Sequence, residues 1–231
     1  TEKAVGSAQM AWKELSPDQI TAITSAAENG NGDAQWNIGI LYLSGLNALV
    51  PKDVEKAVYW LTKSAEQGHE RAQLNLYFVH RDGEGVPRDQ IVAGQWLIKA
   101  SDAGLKQADR ELASIYMFGG IFEADDGKAN VYLQKLADEG DPWAQYNFAI
   151  NLLFGRGLEV DEKRASELFR KSAESGYTDA QFRLGLAYLN AQGVPVDYKE
   201  AAKWMMAAAA ADNSDAQYSL AWMYSDGQGV E

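Results

Sequence analysis

The sequence has no cysteine among its 231 residues and only two histidines. The absence of cysteine excludes a disulfide framework, a thiol nucleophile and a cysteine-ligated zinc site. No run of about 18 apolar residues occurs, so no segment is expected to span a membrane. Basic residues are few: 21 Lys and Arg stand against 33 Asp and Glu, giving a formal net charge of −12. This charge repels nucleic-acid phosphates and anionic lipids, so neither is expected as a partner.

Hydrophobic residues are plentiful, at 46% of the chain, which is enough for a large core and excludes disorder as the main state. The length alone predicts one or two domains. Because the sequence begins at Thr1 rather than at Met, we expect a processed or trimmed N-terminus.

An internal repeat organises the chain. The pair Ala-Gln recurs at a first spacing of 38 residues and later spacings of 36, with Ala108-Asp109 filling one gap. The pairs are Ala34-Gln35, Ala72-Gln73, Ala144-Gln145, Ala180-Gln181 and Ala216-Gln217. A period of about 36 residues is typical of stacked helical hairpins.

Each repeat predicts two helices. We number each repeat from the recurring Ala, which is position zero. Position four is large and apolar, and position five is small except at Tyr77. Positions zero and four share one face of a helix, with position five beside it, so we predict a helix A that packs through this face. Glycines then end helix A, and an Asp at a fixed place predicts the N-cap of a helix B. Four residues after that Asp stands an invariant alanine, which we interpret as a close contact between helices. The alanines are Ala57, Ala93, Ala129, Ala165 and Ala201.

These columns resemble the Sel-one-like repeat (SLR) family, a branch of the tetratricopeptide-type helical repeats, and we expect a bacterial member. The stretches DAQFRLGLAYLNAQGVPVDYKEAAKWMMAAA (179–209) and DAQYSLAWMYSDGQGV (215–230) follow the family pattern almost column by column. The resemblance implies an all-α fold, a right-handed α/α solenoid of antiparallel helix pairs. We expect repeats over 31–231, five complete and a sixth partial, after a degenerate helical repeat or cap over 1–30. The last repeat lacks a helix B, which would leave an apolar face of its helix A open. We therefore expect either that the array is cut short or that this last helix pairs with another element.

No motif in the sequence indicates a catalytic site. His69 and His80 do not stand at a spacing typical of metal ligands. We interpret His69 as a residue of a surface turn, and His80 as a core residue that replaces the aromatic side chain of other repeats. Asp82-Gly83-Glu84-Gly85 lacks the alternating acids of a calcium loop. No phosphate-binding loop and no nucleophile elbow occurs. We therefore expect no catalytic residue, no metal and no cofactor; an enzyme and a small-molecule substrate are not expected.

A second face of helix A is apolar or carries amides, and it is the candidate surface for a protein or peptide partner. In hairpin solenoids the A helices line the concave side, so these side chains would form a groove. The alternative at the aromatic position two is packing between neighbouring A helices, which we favour there. The predicted contact residues are Asn37, Ile40, Asn75, Phe78, Arg81, Arg110, Asn147, Asn151, Arg183 and Trp222.

The resemblance implies a non-catalytic scaffold or adaptor for protein–protein interaction. Many bacterial members of the family act in the cell envelope or outside the cell, so we expect a periplasmic or secreted protein, with a cytoplasmic one as the alternative. The alternative function is an inhibitor or immunity protein that neutralises a secreted toxin enzyme, such as a phospholipase-type effector. The acidic charge would suit a basic target.

Overall fold

The computed structural model describes residues 12–230, and within this range every regular element is an α-helix. Trp12 and Lys13 are helical, and twelve further helices follow. Their bounds are α1 Pro17–Glu28, α2 Gly32–Ser44, α3 Val54–Glu66, α4 Glu70–Asp82, α5 Gln90–Asp102, α6 Lys106–Phe118, α7 Asp126–Asp138, α8 Pro142–Phe154, α9 Glu162–Glu174, α10 Thr178–Asn190, α11 Tyr198–Ala210 and α12 Ser214–Asp226. Even-numbered helices are the predicted A helices and odd-numbered ones the B helices. The first eleven residues of the degenerate repeat or cap expected over 1–30 lie outside the described residues.

The chain forms two compact units, the first ending at Ala108 and the second beginning at Asp109. In the first unit, consecutive helices from α1 to α5 pack on one another, and in the second unit those from α7 to α12 do so. Each unit is thus a stack of antiparallel helix pairs, and the expected all-α solenoid class is confirmed. No helix in the described range is long and apolar enough to cross a bilayer.

Capping fixes the helix boundaries where the sequence predicts them. Ser16 and Gln19 form a reciprocal capping box at the start of α1. The Asp before each later B helix accepts a hydrogen bond from a first-turn backbone N–H, as at Asp53 and Asp125. These bonds favour the charged carboxylate, so the pKa values of Asp53 and Asp125 are lowered, chiefly by the backbone N–H groups of Lys56 and Lys128.

Small residues let the paired helices approach closely. The invariant alanine of helix B is at most 1% exposed in all five complete repeats, as predicted. On helix A, a Cβ added to Gly39 would lie 2.9 Å from Leu61 Cγ, and one added to Gly185 would lie 2.9 Å from Met205 Cε. The core between helix A and helix B is therefore full at position five.

The glutamine at position one has a structural role that the sequence pattern does not reveal. In each of its five occurrences its Nε2 donates to the backbone carbonyl eight residues earlier, at the end of the preceding B helix. Gln145, for example, donates to Ala137 O at 3.2 Å. The repeat that has Asp109 instead buries this carboxylate, which pairs with Lys135 at 2.8 Å. Where position one is Gln, it thus joins its A helix to the B helix before it, whereas Asp109 pairs with a residue of the B helix after it.

One of the turns after an A helix has no glycine at the helix end. Ala191 ends α10 in the left-handed conformation with φ +57°, where α2, α4, α8 and α12 end at glycines. An L side chain is strained in this conformation. Two residues on, a Cβ on Gly193 would lie 2.0 Å from Glu162 O, so this loop approaches α9 too closely for any side chain there.

Candidate partner-binding surface

Position two of helix A reaches the next repeat. The ring of Trp36 stacks on His69 with centroids 5.2 Å apart, and its Nε1 donates to Asn75 Oδ1 at 2.9 Å. His69 itself caps α4, because its Nδ1 accepts from the backbone N–H of Ala72 at 3.2 Å. This arrangement agrees with the interpretation of position two as packing between neighbouring A helices.

In the second unit, position two also contacts the next repeat, but through different side chains. Arg110 forms an ion pair with Asp141, the N-cap of α8, and its guanidinium lies 5.2 Å from the ring centroid of Trp143. Tyr146 meets Tyr177 with ring centroids 5.3 Å apart. Burial, followed by the charge of nearby Asp179, raises the pKa of the Tyr177 phenol. Position two therefore connects repeats whether it holds an aromatic ring or a cation.

In the first unit, the predicted residues lie along α2 and α4 and are all half-buried: Asn37, Ile40, Asn75, Phe78 and Arg81. Ile40 also packs against the core around Leu61 and Leu76, so its role is partly structural. Asn75 has its carbonyl oxygen engaged by Trp36, which leaves its NH₂ group to meet a partner.

Arg81 is held at the C-terminal end of α4. Its Nε donates to Asp82 Oδ1 at 2.7 Å, and the guanidinium lies 4.9 Å from the centroid of Phe78. The bond to Asp82 raises the pKa of Arg81 and lowers that of Asp82. The Asp82 contact reduces the capacity of Arg81 to bind a partner's carboxylate.

A shallow cavity of about 340 Å³ adjoins the same face. Asp33, Trp36, Asn37, His69, Glu70 and Arg71 line it. Its acids and its histidine do not form a metal site: the described residues contain no group of three or more His, Asp or Glu placed to hold an ion. The cavity is a mostly polar recess between α2 and the start of α4.

In the second unit, four of the five predicted residues reach the surface. Arg110 and Trp222 are exposed, and Asn147 and Arg183 are half-buried. Asn147 Nδ2 donates back to Trp143 O at 2.8 Å, which leaves its carbonyl oxygen for a partner. Arg183 has no ion-pair partner among the described residues, so its guanidinium is available.

Asn151 is a correction to the predicted set. It is 2% exposed, and its Nδ2 donates to Asn130 Oδ1 at 2.7 Å. Asn130 in turn donates to Arg156 O at 2.8 Å. Asn151 therefore belongs to a buried polar network between α8, α7 and the loop after α8, and it cannot touch a partner.

Sequence reasoning missed two exposed phenylalanines at position ten. Phe118 is 78% and Phe154 is 54% exposed, each at the end of its A helix. The signal was present in the repeat pattern, because position ten is polar in the other four repeats: Ser44, Asp82, Asn190 and Asp226.

The family model for the Sel1 repeat matches six segments: 32–69, 71–105, 106–141, 144–177, 178–213 and 214–231. The chain belongs to the Sel1 repeat family. Each of the six matched segments begins at, or within two residues of, the first residue of an A helix. Sel1 repeats typically mediate protein interactions without catalysis.

Two solved structures are similar to this Sel1 repeat chain. One is a protective antigen of uropathogenic Escherichia coli that displays an SLR fold, with a TM-score of 0.77 and 29% identity, covering 89% of this chain and 44% of the antigen. The other is a Sel1 repeat protein from Oxalobacter formigenes, with a TM-score of 0.68 and 33% identity, covering 89% of this chain and 59% of that protein. This chain thus spans about half the length of either.

A curated relative is similar over a shorter stretch. Chitin synthase regulatory factor 3 of Schizosaccharomyces pombe is 36% identical over 63 residues, which is 27% of this chain and 7% of that protein.

Proposed function

We propose that this chain is a non-catalytic adaptor that binds a partner protein or peptide through the exposed faces of its A helices. One observation carries the proposal. Positions three and six of helix A remain partly or fully solvent-accessible in all six repeats, while position zero of the same helices is buried. Burial at position zero builds the core, whereas the accessible positions keep exposed area for a partner even where, as at Ile40, part of the side chain packs against that core.

The accessible positions have the chemistry of a peptide-binding surface. Position six is apolar in five repeats, and position three holds an amide in three of them. Apolar side chains flanked by amides bury a partner's side chains and satisfy its backbone groups. Aromatic and arginine anchors carry most of the binding energy at such surfaces, so Trp222 and Arg183 are the residues on which we expect affinity to depend most.

Affinity capture from the native organism, followed by mass spectrometry, tests the proposal. The bait is the full chain, and its matched variant carries Asn147→Ala and Arg183→Ala. The control variant is Lys163→Ala, which lies exposed on α9, a B helix. We expect one specific protein on the wild-type and control baits, at least about tenfold depleted on the double variant. Equal recovery on all three baits would contradict binding through this face.

We also propose a location in the cell envelope or outside the cell, as the family resemblance implies. Cell fractionation with an antibody to the chain tests this, and recovery only from the cytosol would oppose it.

A second candidate function is inhibition of a secreted enzyme. The net charge of −12 favours it, because an acidic inhibitor associates faster with a basic target. The same capture experiment separates the two functions. A captured enzyme whose activity falls on adding the purified chain supports inhibition, whereas a captured structural or export protein supports the adaptor.

A further inference from the structure

The two phenylalanines at position ten form an unusual surface feature of the second unit. We call Phe118, Phe154 and the adjacent Val160 the phenylalanine ridge. Val160 is 60% exposed, and its Cγ2 lies 3.0 Å from where a Cβ on Gly155 would stand, next to Phe154. Phe118 and Phe154 hold the same position of consecutive A helices, 36 residues apart. Because packed helices lie about 8–10 Å apart, we expect the two rings to be neighbours.

Folding does not require this ridge. Position ten is polar in four of the six repeats, and Ser44 and Asn190 occupy it without loss of the helix end. Phe118 and Phe154 leave 78% and 54% of their surface in water, which lowers solubility and forgoes the free energy of full burial. A contiguous apolar patch that folding does not explain usually marks an interface.

The loop that follows each phenylalanine carries a carboxylate. The loop after Phe118 returns to α6 where the Asp125 N–H donates to Tyr116 O at 2.8 Å, and the loop after Phe154 returns to α8 where the Asp161 N–H donates to Leu152 O at 3.0 Å. Each of these loops has one exposed glutamate, five residues after its phenylalanine: Glu123 in the first and Glu159 in the second. Neither glutamate forms an ion pair within the described range.

The second unit as a whole is also negatively charged. Residues 109–231 carry 20 acidic and 11 basic side chains, against 13 and 10 in residues 1–108. The ridge already binds one cation of its own, because the guanidinium of Arg156 lies 5.7 Å from the ring centroid of Phe154. Phe118 has no such cation over its ring among the described contacts.

We propose that the phenylalanine ridge is the docking site for an amphipathic partner segment that presents large apolar side chains flanked by lysine or arginine. This proposal rests on the proposed function and names the chemical class of its partner. Apolar side chains of the segment cover the rings, and its cations meet Glu123, Glu159 and the face of Phe118. A second copy of this chain fits poorly, because it would bring like carboxylates together, and an anionic membrane is repelled in the same way.

The experiment uses three amidated helical 15-residue peptides with the same Leu/Phe face. Their opposite faces carry lysine, glutamine or glutamate, and binding to the full chain is measured by fluorescence anisotropy at two salt concentrations. We expect the lysine peptide to bind, with affinity falling as salt rises, and the glutamate peptide to bind at least about tenfold more weakly.

The variant Phe118→Ser with Phe154→Asn tests the ridge itself, since it installs the residue types found at position ten of other repeats. We expect about a tenfold or greater loss of lysine-peptide affinity with an unchanged circular dichroism spectrum and melting curve. The control Ile91→Ser removes a 75% exposed apolar side chain from α5 and should change nothing. Glu123→Gln with Glu159→Gln should weaken binding and flatten its salt dependence.

Three results would overturn the proposal: no binding of the lysine peptide, equal binding of all three peptides, or unchanged binding to the ridge variant. The captured partner of the proposed function gives a separate measurement. If that partner binds the wild type and the ridge variant equally, the adaptor function stands and the ridge proposal fails. Sedimentation of the chain as a stable dimer that the ridge variant dissociates would also overturn it, in favour of a second copy.

Discussion

Adding one methyl group at position five should have opposite effects in two repeats. Gly39 and Gly185 are both buried at this position of an A helix, and each faces one side chain of the paired B helix. Replacing a helical glycine by alanine gains about 1 kcal/mol of helix propensity. Whether the protein keeps this gain depends on how easily the facing side chain moves.

At Gly39 the new Cβ would lie 2.9 Å from Leu61 Cγ and 3.3 Å from the backbone nitrogen of the same residue. A branch point next to backbone cannot move without shifting α3, and overpacking of this kind costs about 1–3 kcal/mol. After the propensity gain, we expect Gly39→Ala to lower the free energy of unfolding by about 1 kcal/mol.

At Gly185 the new Cβ would approach only the flexible part of Met205: Cε at 2.9 Å, and Cγ and Sδ at 3.1 Å. The unbranched thioether can change rotamer to make room, at a cost below about 1 kcal/mol. We therefore expect Gly185→Ala to leave the free energy of unfolding unchanged or to raise it by up to about 0.5 kcal/mol.

Urea denaturation followed by far-UV circular dichroism measures both variants, and exchanging the facing residues tests the cause. Leu61→Met should recover most of the loss in Gly39→Ala, while Met205→Leu should make Gly185→Ala destabilising. Each facing substitution alone costs less than about 1.5 kcal/mol. If Gly185→Ala loses as much stability as Gly39→Ala, or if Leu61→Met recovers nothing, the proposed packing cause is refuted.

Three further predictions concern other positions of the repeat pattern. Ala129→Leu places a large side chain at a position with no exposure and should cost about 1–3 kcal/mol, so a melting temperature equal to the parent's would contradict the contact. Gln145→Met breaks a buried bond to Ala137 O and should cost about 1 kcal/mol in urea denaturation, whereas Gln217→Met, which breaks an exposed bond of the same length, should cost almost nothing. The pKa of Asp53 in the folded state lies below 3.8, so its charge stabilises the fold above that pH, and this stabilisation is lost as the pH falls through the lowered pKa. The difference in unfolding free energy between wild type and Asp53→Asn should therefore shrink in acid. A difference that stays constant with pH would contradict this prediction.

Local features of the fold could be predicted from the sequence because their causes are local. The Asp N-caps and the capping box at Ser16 depend on neighbours within three residues, so spacing alone identifies them. The invariant alanines could be predicted as contacts because a small residue that recurs at one register lets a neighbouring helix approach. Contacts between repeats are harder to predict from the sequence. The bond from Gln145 to Ala137 joins residues eight apart across a turn, and nothing in the composition of position one identifies its acceptor.

Asn151 shows where the prediction of the surface went wrong. Its amide suggested a partner contact, yet position seven follows positions zero and four on the buried stripe of the helix. The other five repeats place apolar residues there, Leu41, Val79, Ile115, Ala187 and Met223, and all are buried. Comparison down the column would have placed Asn151 in the core, where Asn130 satisfies it. The side-chain type was informative only after its register was fixed.

The same comparison separates folding from function in the rest of the chain. Six copies of one helix act as internal controls: a residue shared by all copies is explained by the packing that they share. A change on a buried stripe must be compensated nearby, as Asp109 is by Lys135. A change at a solvent-facing position needs no compensation, so it persists at no cost to the core. Phe118 and Phe154 are changes of this second kind, in consecutive repeats and with large exposed rings. Their exposure is unfavourable for the isolated chain, so we attribute it to a partner that covers them.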